Sequence, residues 1–359
     1  MSLTSRLCAV LLGLACLCAQ AQEKDPFAAY GCNPGDRDCR VRVIHEHRAH
    51  KAQTWAADRA RPLIERVRAA PDVLLEYMLL ENIVQGFPEK PRAPAADAAF
   101  MRDLQDAVRE LPPQVVQALD AKLFGIFLVG DLGGTGFADI VFNADGTPAG
   151  GLVLLDAELL ARHTANAWAT WKENTPFKPA PAWQLKARIA EDGADDRKGA
   201  IQYILLHELG HVLSMGSDAH PPFWKPAREA HADRAWPFFD LTWTVDRRAN
   251  DYRPYGGHDF AQRQRLVYYL GAKLEASEMK ATYDALENTN FPTLYAATRP
   301  ADDFAEAFAK YVHVRLMKRP WEITLSLDGV PVKTVKPCWG TPRCAAKEAY
   351  LERLLRPPE

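Results

Sequence analysis

The feature that most constrains this chain is the run His207-Glu208-Leu209-Gly210-His211, set inside KGAIQYILLHELGHVLSMG. Positions i and i+4 of a helix project from the same face, so a helix here brings both imidazoles to one point and places Glu208 beside them. The flanks Ile204-Leu205-Leu206 and Val212-Leu213 are apolar and uncharged, as in a helix buried around most of its circumference. With 10 histidines in 359 residues, chance supplies about 0.02 such runs in a chain of this length. The spacing suits a Zn2+ ion held by His207 and His211 with a water, and Glu208 as the base that takes the water's proton.

Two histidines need a third partner. A metzincin-type histidine is excluded, because Ser214 and Ser217 stand where that pattern needs Gly and His. A carboxylate from a later helix is the other common solution, and RPADDFAEAFAKYV offers Asp302 and Glu306 four apart on one face, with Phe304 and Phe308 for packing. One of the two would bind the metal while the other accepts the free N–H of a ligand histidine. Acidic residues in a first turn also suit the helix dipole alone. Glu229 is a fallback ligand. His220 and His231 read as surface residues.

The segment TLYAATRPADDFAEAF is similar to the third-ligand segment of the anthrax lethal factor-like metallopeptidases and the related Pro-Pro endopeptidases, both gluzincins. Those families pair a Tyr with an acidic ligand seven residues later and a Glu four beyond that, and Tyr295, Asp302 and Glu306 reproduce both intervals. The resemblance implies that Asp302 is the zinc ligand, that Glu306 supports a ligand from behind, and that the Tyr295 hydroxyl polarises the scissile carbonyl. It also implies an α+β fold, mainly helical and zincin-like, with a small sheet before the motif helix. Two departures stand out: the family ligand is Glu where this chain has Asp, which keeps Glu306 open as a ligand, and the long interval from His211 to Asp302 implies an inserted segment.

At the start of the chain, Arg6, the run AVLLGLACLCA and Ala19-Gln20-Ala21 have the order of a secretory signal peptide, expected over residues 1–21 with cleavage after Ala21. The expected location is therefore periplasmic or secreted, with no stretch long enough to span a bilayer. Removing that segment removes Cys8, Cys16 and Cys18 and leaves Cys32, Cys39, Cys338 and Cys344. The expected disulfides are Cys32 with Cys39 and Cys338 with Cys344, because CNPGDRDC and CWGTPRC each contain Gly and Pro turns. A four-cysteine zinc site would need closer pairs. A net charge of -2 suggests neither nucleic acid nor an anionic membrane as partner.

Residues 22–112 read as a helical N-terminal region and 113–359 as the metallopeptidase-like domain, with the boundary at Pro112-Pro113. LFGIFLVGDL, GFADIVFNADG and GGLVLLDAELL are strand-like runs separated by Gly and Asn/Asp turns. GGLVLLD has two readings, an edge strand that pairs with extended substrate or an interior strand with a continuous apolar run. WEITLSLDGVPVKTV predicts a hairpin about Asp328-Gly329. IHEHRAH reads as a solvated helix face, Trp168 and Trp171 as core, and GDLGGTG as a turn. The functional expectation is a zinc metallopeptidase acting on a peptide or protein substrate. The alternatives are a zinc-containing scaffold with a four-ligand site, and a zinc hydrolase of a cell-wall amide.

Overall fold

The computed structural model describes residues 25–94, 97–230 and 234–356, so the expected signal peptide and His231 lie outside the described residues. β1 (Val67–Ala69), β2 (Leu123–Val129), β3 (Gly136–Phe142) and β4 (Pro148–Asp156) form one sheet in the order β1-β2-β4-β3. β1 and β4 run parallel to β2, and β3 runs antiparallel to β4. The continuous apolar runs of β2 and β4 follow from burial on both faces. Ile126, Leu128, Val153 and Leu155 join a core with Ile204, Leu205, Leu209 and Val212. Phe124, Phe127, Leu152 and Leu154 join a second core with Phe27, Trp55, Leu74 and Tyr77. The 22–112 segment thus supplies both a strand and a covering layer of this sheet.

GGLVLLD is therefore the interior strand of its two readings, lying between β2 and β3, and the edge is β3. Gly151 makes this possible: a Cβ there would come within 2.7 Å of Asp139 O on β3 and 2.5 Å of Met215 Sδ. IHEHRAH departs from the solvated face expected of it. His47 and His50 are buried, and His50 Nδ1 lies 3.0 Å from the Ile140 carbonyl of β3. The chain after Glu46 turns onto the outer end of β3, where Lys51 bridges Phe142.

The motif helix spans Arg197–Ser214, started by Asp196, whose carboxylate accepts the Gly199 N–H at 2.7 Å. Every residue from Gly199 to Gly210 is buried. It packs between the sheet and the helix Pro300–Tyr311. At the crossing, a Cβ on Gly210 would lie 2.8 Å from Ala305 Cα, so the two backbones nearly touch. That contact delivers Asp302 and Glu306 to the histidine face.

β5 (Trp183–Arg188), β6 (Trp243–Asp246), β7 (Asp251–Pro254), β8 (Glu322–Leu327) and β9 (Val330–Val335) make the remaining sheets, β5-β8-β9 and β6-β7, all antiparallel. Asp328 and Gly329 both take left-handed φ, 50° and 78°, which makes the expected β8–β9 hairpin turn. The segment after the motif helix adds Trp236, Phe238, Trp243 and Tyr268 to the main core. Disulfides join Cys32 to Cys39 and Cys338 to Cys344, the pairings expected. Among the described residues no helix is long and apolar enough to cross a membrane. Helices and small sheets are mixed along the chain, compatible with the α+β class.

Candidate metal centre

One turn of the motif helix separates His207 from His211, and their rings meet edge to face at 4.9 Å. The two Nε2 atoms are 3.2 Å apart. Asp302 Oδ1 stands 3.6 Å from His211 Nε2 and 4.0 Å from His207 Nε2. His207, His211 and Asp302 are the group among the described residues whose ligand atoms could hold one metal ion.

The donor set passes a chemical test. His207 Nδ1 faces Glu306 Oε1 at 3.0 Å, and a proton held there leaves Nε2 as a lone pair. His207 Nε2 stands beside a second imidazole nitrogen and a carboxylate oxygen, three potential electron-pair donors. A cation at their centre satisfies all three. Two nitrogens and one oxygen with a fourth position left for water is a set that zinc accepts in catalytic sites.

Asp302 and Glu306 divide by depth: the Asp302 side chain is 19% exposed and the Glu306 side chain 0%. Glu306 Oε1 also accepts from Lys172 Nζ at 2.5 Å, and Oε2 accepts from Thr293 Oγ1 at 2.8 Å. Burial alone would raise the Glu306 carboxyl, but Lys172 and His207 outweigh it and hold it well below the usual carboxylate range. His207 shows the converse, burial lowering it and the Glu306 hydrogen bond raising it to a net value above the ordinary one. Burial and the neighbouring His207 hold His211 well below the usual imidazole range. Burial pushes Asp302 up to about 6 against the opposing pull of His207.

Glu208 is buried beside the imidazoles, and burial pushes its carboxyl up to about 7. Its neighbour is the edge strand: a Cβ on Gly136 of β3 would lie 3.0 Å from both Glu208 Oε1 and Ile204 Cγ2. The absent side chain lets β3 settle directly over the carboxylate. Tyr295 brings its ring to 5.5 Å from that of His207, and Lys172 Nζ lies 4.7 Å from the Tyr295 ring centroid.

His207, Glu208, His211, Tyr295, Asp302 and Glu306 therefore share one site. Glu229 is exposed and outside it. His220 is buried instead of at the surface, its Nδ1 2.8 Å from the Pro221 carbonyl. Of the two tryptophans expected in the core, Trp168 is there and Trp171 is 37% exposed. The residues that motif reading missed are Lys172, Thr293 and Gly136. A lone Lys in a helix carries no signal of burial, since lysine is nearly always exposed unless paired. Gly136 had a weak signal, a glycine opening a strand next to a Gly-rich turn. No family model, curated protein or solved structure matches this chain.

Proposed function

We propose that this chain is an exported zinc metallopeptidase of the gluzincin kind. The observation that carries the reading is the convergence of His207, His211 and Asp302 with Glu208 alongside them, beneath the edge strand β3. In this reading His207, His211 and Asp302 hold the zinc, and Glu306, itself anchored by Lys172 and Thr293, fixes the tautomer of His207. When bound, zinc supplies a Lewis acid that polarises the scissile carbonyl and acidifies the attacking water.

Glu208 takes the proton of that water and passes it to the leaving amine. A carboxyl fixed beside the two imidazoles is placed for both transfers. The Tyr295 hydroxyl donates to the oxygen on which negative charge develops. Among the described residues β3 has a strand partner on one side only, and toward its far end Lys51 bridges Phe142 and the Ile140 carbonyl is taken by His50. An extended substrate therefore pairs with the strand near Gly136 to Ala138, next to Glu208. That edge favours a peptide over a cell-wall amide as substrate. The two disulfides favour export to an oxidising compartment.

The test is metal analysis together with cleavage of a peptide library by the purified protein and its Glu208→Gln variant. One zinc per chain is expected, with cleavage reduced on the order of 100-fold or more in a variant that keeps its zinc. Wild-type protein that takes up no zinc overturns the reading. A zinc-loaded variant that cleaves at the wild-type rate overturns the role of Glu208.

A further inference from the structure

Among the described residues, five other than glycine have positive φ: Asp131, Asn250, Tyr269, Lys318 and Asp328. Three of them are Asp or Asn, whose short polar side chains tolerate that region, and Tyr269 is the aromatic exception at φ 67°. The Leu270 N–H donates to the Tyr268 carbonyl at 2.8 Å, closing a three-residue turn with Tyr269 at its centre. Such a turn is rare for an L residue. The Tyr269 ring packs on those of Tyr268, Trp171 and Tyr295, while the residue stays 45% exposed and Leu270 78%. Strain in an exposed aromatic calls for a ligand-side explanation.

The position of the ring supplies one. Tyr269 lies 6.2 Å from the ring of Tyr295 and 5.4 Å from that of Trp171, which is itself stacked on His163 at 5.8 Å. Tyr295 in turn meets His207 at 5.5 Å. Rings therefore lead without interruption from the metal centre to an open aromatic wall made of Tyr269 and Trp171. Two ring contacts, of 5.5 and 6.2 Å, thus separate Tyr269 from His207.

We propose that Tyr269 and Trp171 form a specificity subsite that receives an aromatic side chain next to the scissile bond. Two inclined ring faces with an exposed Leu270 beside them suit offset stacking of a flat apolar group. This assignment rests on the metallopeptidase reading. A Lys or Arg side chain also stacks on Trp and Tyr, so a cationic preference is the competing outcome.

The experiment is calorimetric binding of the peptide hydroxamates Gly-Xaa-NHOH, with Xaa Phe, Leu, Lys or Ala, to the zinc-loaded protein, alongside zinc content and library cleavage. Phe is expected to bind at least tenfold tighter than Ala or Lys. That margin disappears in Trp171→Ala and in Tyr269→Gly, while Ala affinity and zinc content stay unchanged. Equal affinities for the four compounds, a preference for Lys, or a Phe margin that survives both substitutions overturns the subsite. A chain that binds no zinc fails at the metallopeptidase reading, whereas zinc-dependent binding without discrimination fails only the subsite.

Discussion

At the scale of single residues, Lys172 links the parts of the site. Its Nζ meets Glu306 at 2.5 Å and lies over the Tyr295 ring, in surroundings that leave the residue 4% exposed. Removing one partner of a buried pair strands the other charge. Lys172→Met should therefore destabilise the fold by about 3–5 kcal/mol in urea titration, and pairing it with Glu306→Gln should recover part of that loss. Glu306→Gln alone should weaken zinc about 10- to 100-fold in chelator competition, because the group that orients His207 is altered. Unchanged zinc affinity in that variant would remove Glu306 from the metal's support.

His313 carries the pH prediction. It is buried, its Nε2 lies 2.9 Å from the carbonyls of Ile189 and Pro320, and burial pushes it down to about 4. A depressed imidazole keeps its neutral form in the fold while the unfolded chain protonates near 6.5. The stability it contributes is thus present above pH 6.5 and is lost as pH falls from there toward 4, amounting to about 3 kcal/mol at the lower end. Denaturation midpoints across that window should fall more steeply for wild type than for His313→Gln. Parallel slopes would refute the assignment.

At the scale of elements, the site depends on one helix crossing. A Cβ on Gly210 meets the Ala305 backbone at 2.8 Å, and no side-chain rotation relieves a backbone contact. Alanine gains about 1 kcal/mol of helix propensity over glycine, against an overpacking cost of about 1–3 kcal/mol. Gly210→Ala should therefore be net destabilising and should weaken zinc at least tenfold, since Asp302 moves with the displaced helix. A more stable variant with full zinc affinity would show that the crossing does not set the site. The HELGH run was legible as a helix with two imidazoles on one face, but not why its fourth residue is Gly; that answer lies in a helix nearly a hundred residues later. Likewise, three strands were legible, but not their order. An apolar run such as GGLVLLD reads the same at an edge or in the interior until its neighbours are known.

At the scale of the whole molecule, two cores flank the main sheet, and the one that includes the motif helix is filled by apolar side chains such as Leu205, Leu209 and Phe304. Chelation should therefore leave a folded, inactive protein that still unfolds cooperatively, as followed by circular dichroism with and without EDTA. Unfolding on chelation would favour a structural zinc. Local pattern was enough for the two disulfides and the β8–β9 hairpin, because each joins residues close in the chain through Gly and Pro turns. It failed for His47, His50 and His220, whose burial depends on distant segments packing over them.

The sequence alone determined the chemistry available at the site: two imidazoles one helical turn apart, a carboxylate beside them, and a Tyr-acid-Glu segment to complete the set. The first two follow from helix periodicity, which is a local property; the third is implied by the resemblance of its segment to the third-ligand segment of known metallopeptidases. Tertiary structure decided which carboxylate stands with the imidazoles. Asp302 and Glu306 share one helix face, and the crossing at Gly210 and Ala305 helps to set their depth. It leaves Asp302 open beside the two Nε2 atoms and sinks Glu306 onto Lys172 and Thr293. A buried carboxylate needs such partners and an open one does not, and those partners come from segments that meet only in the fold.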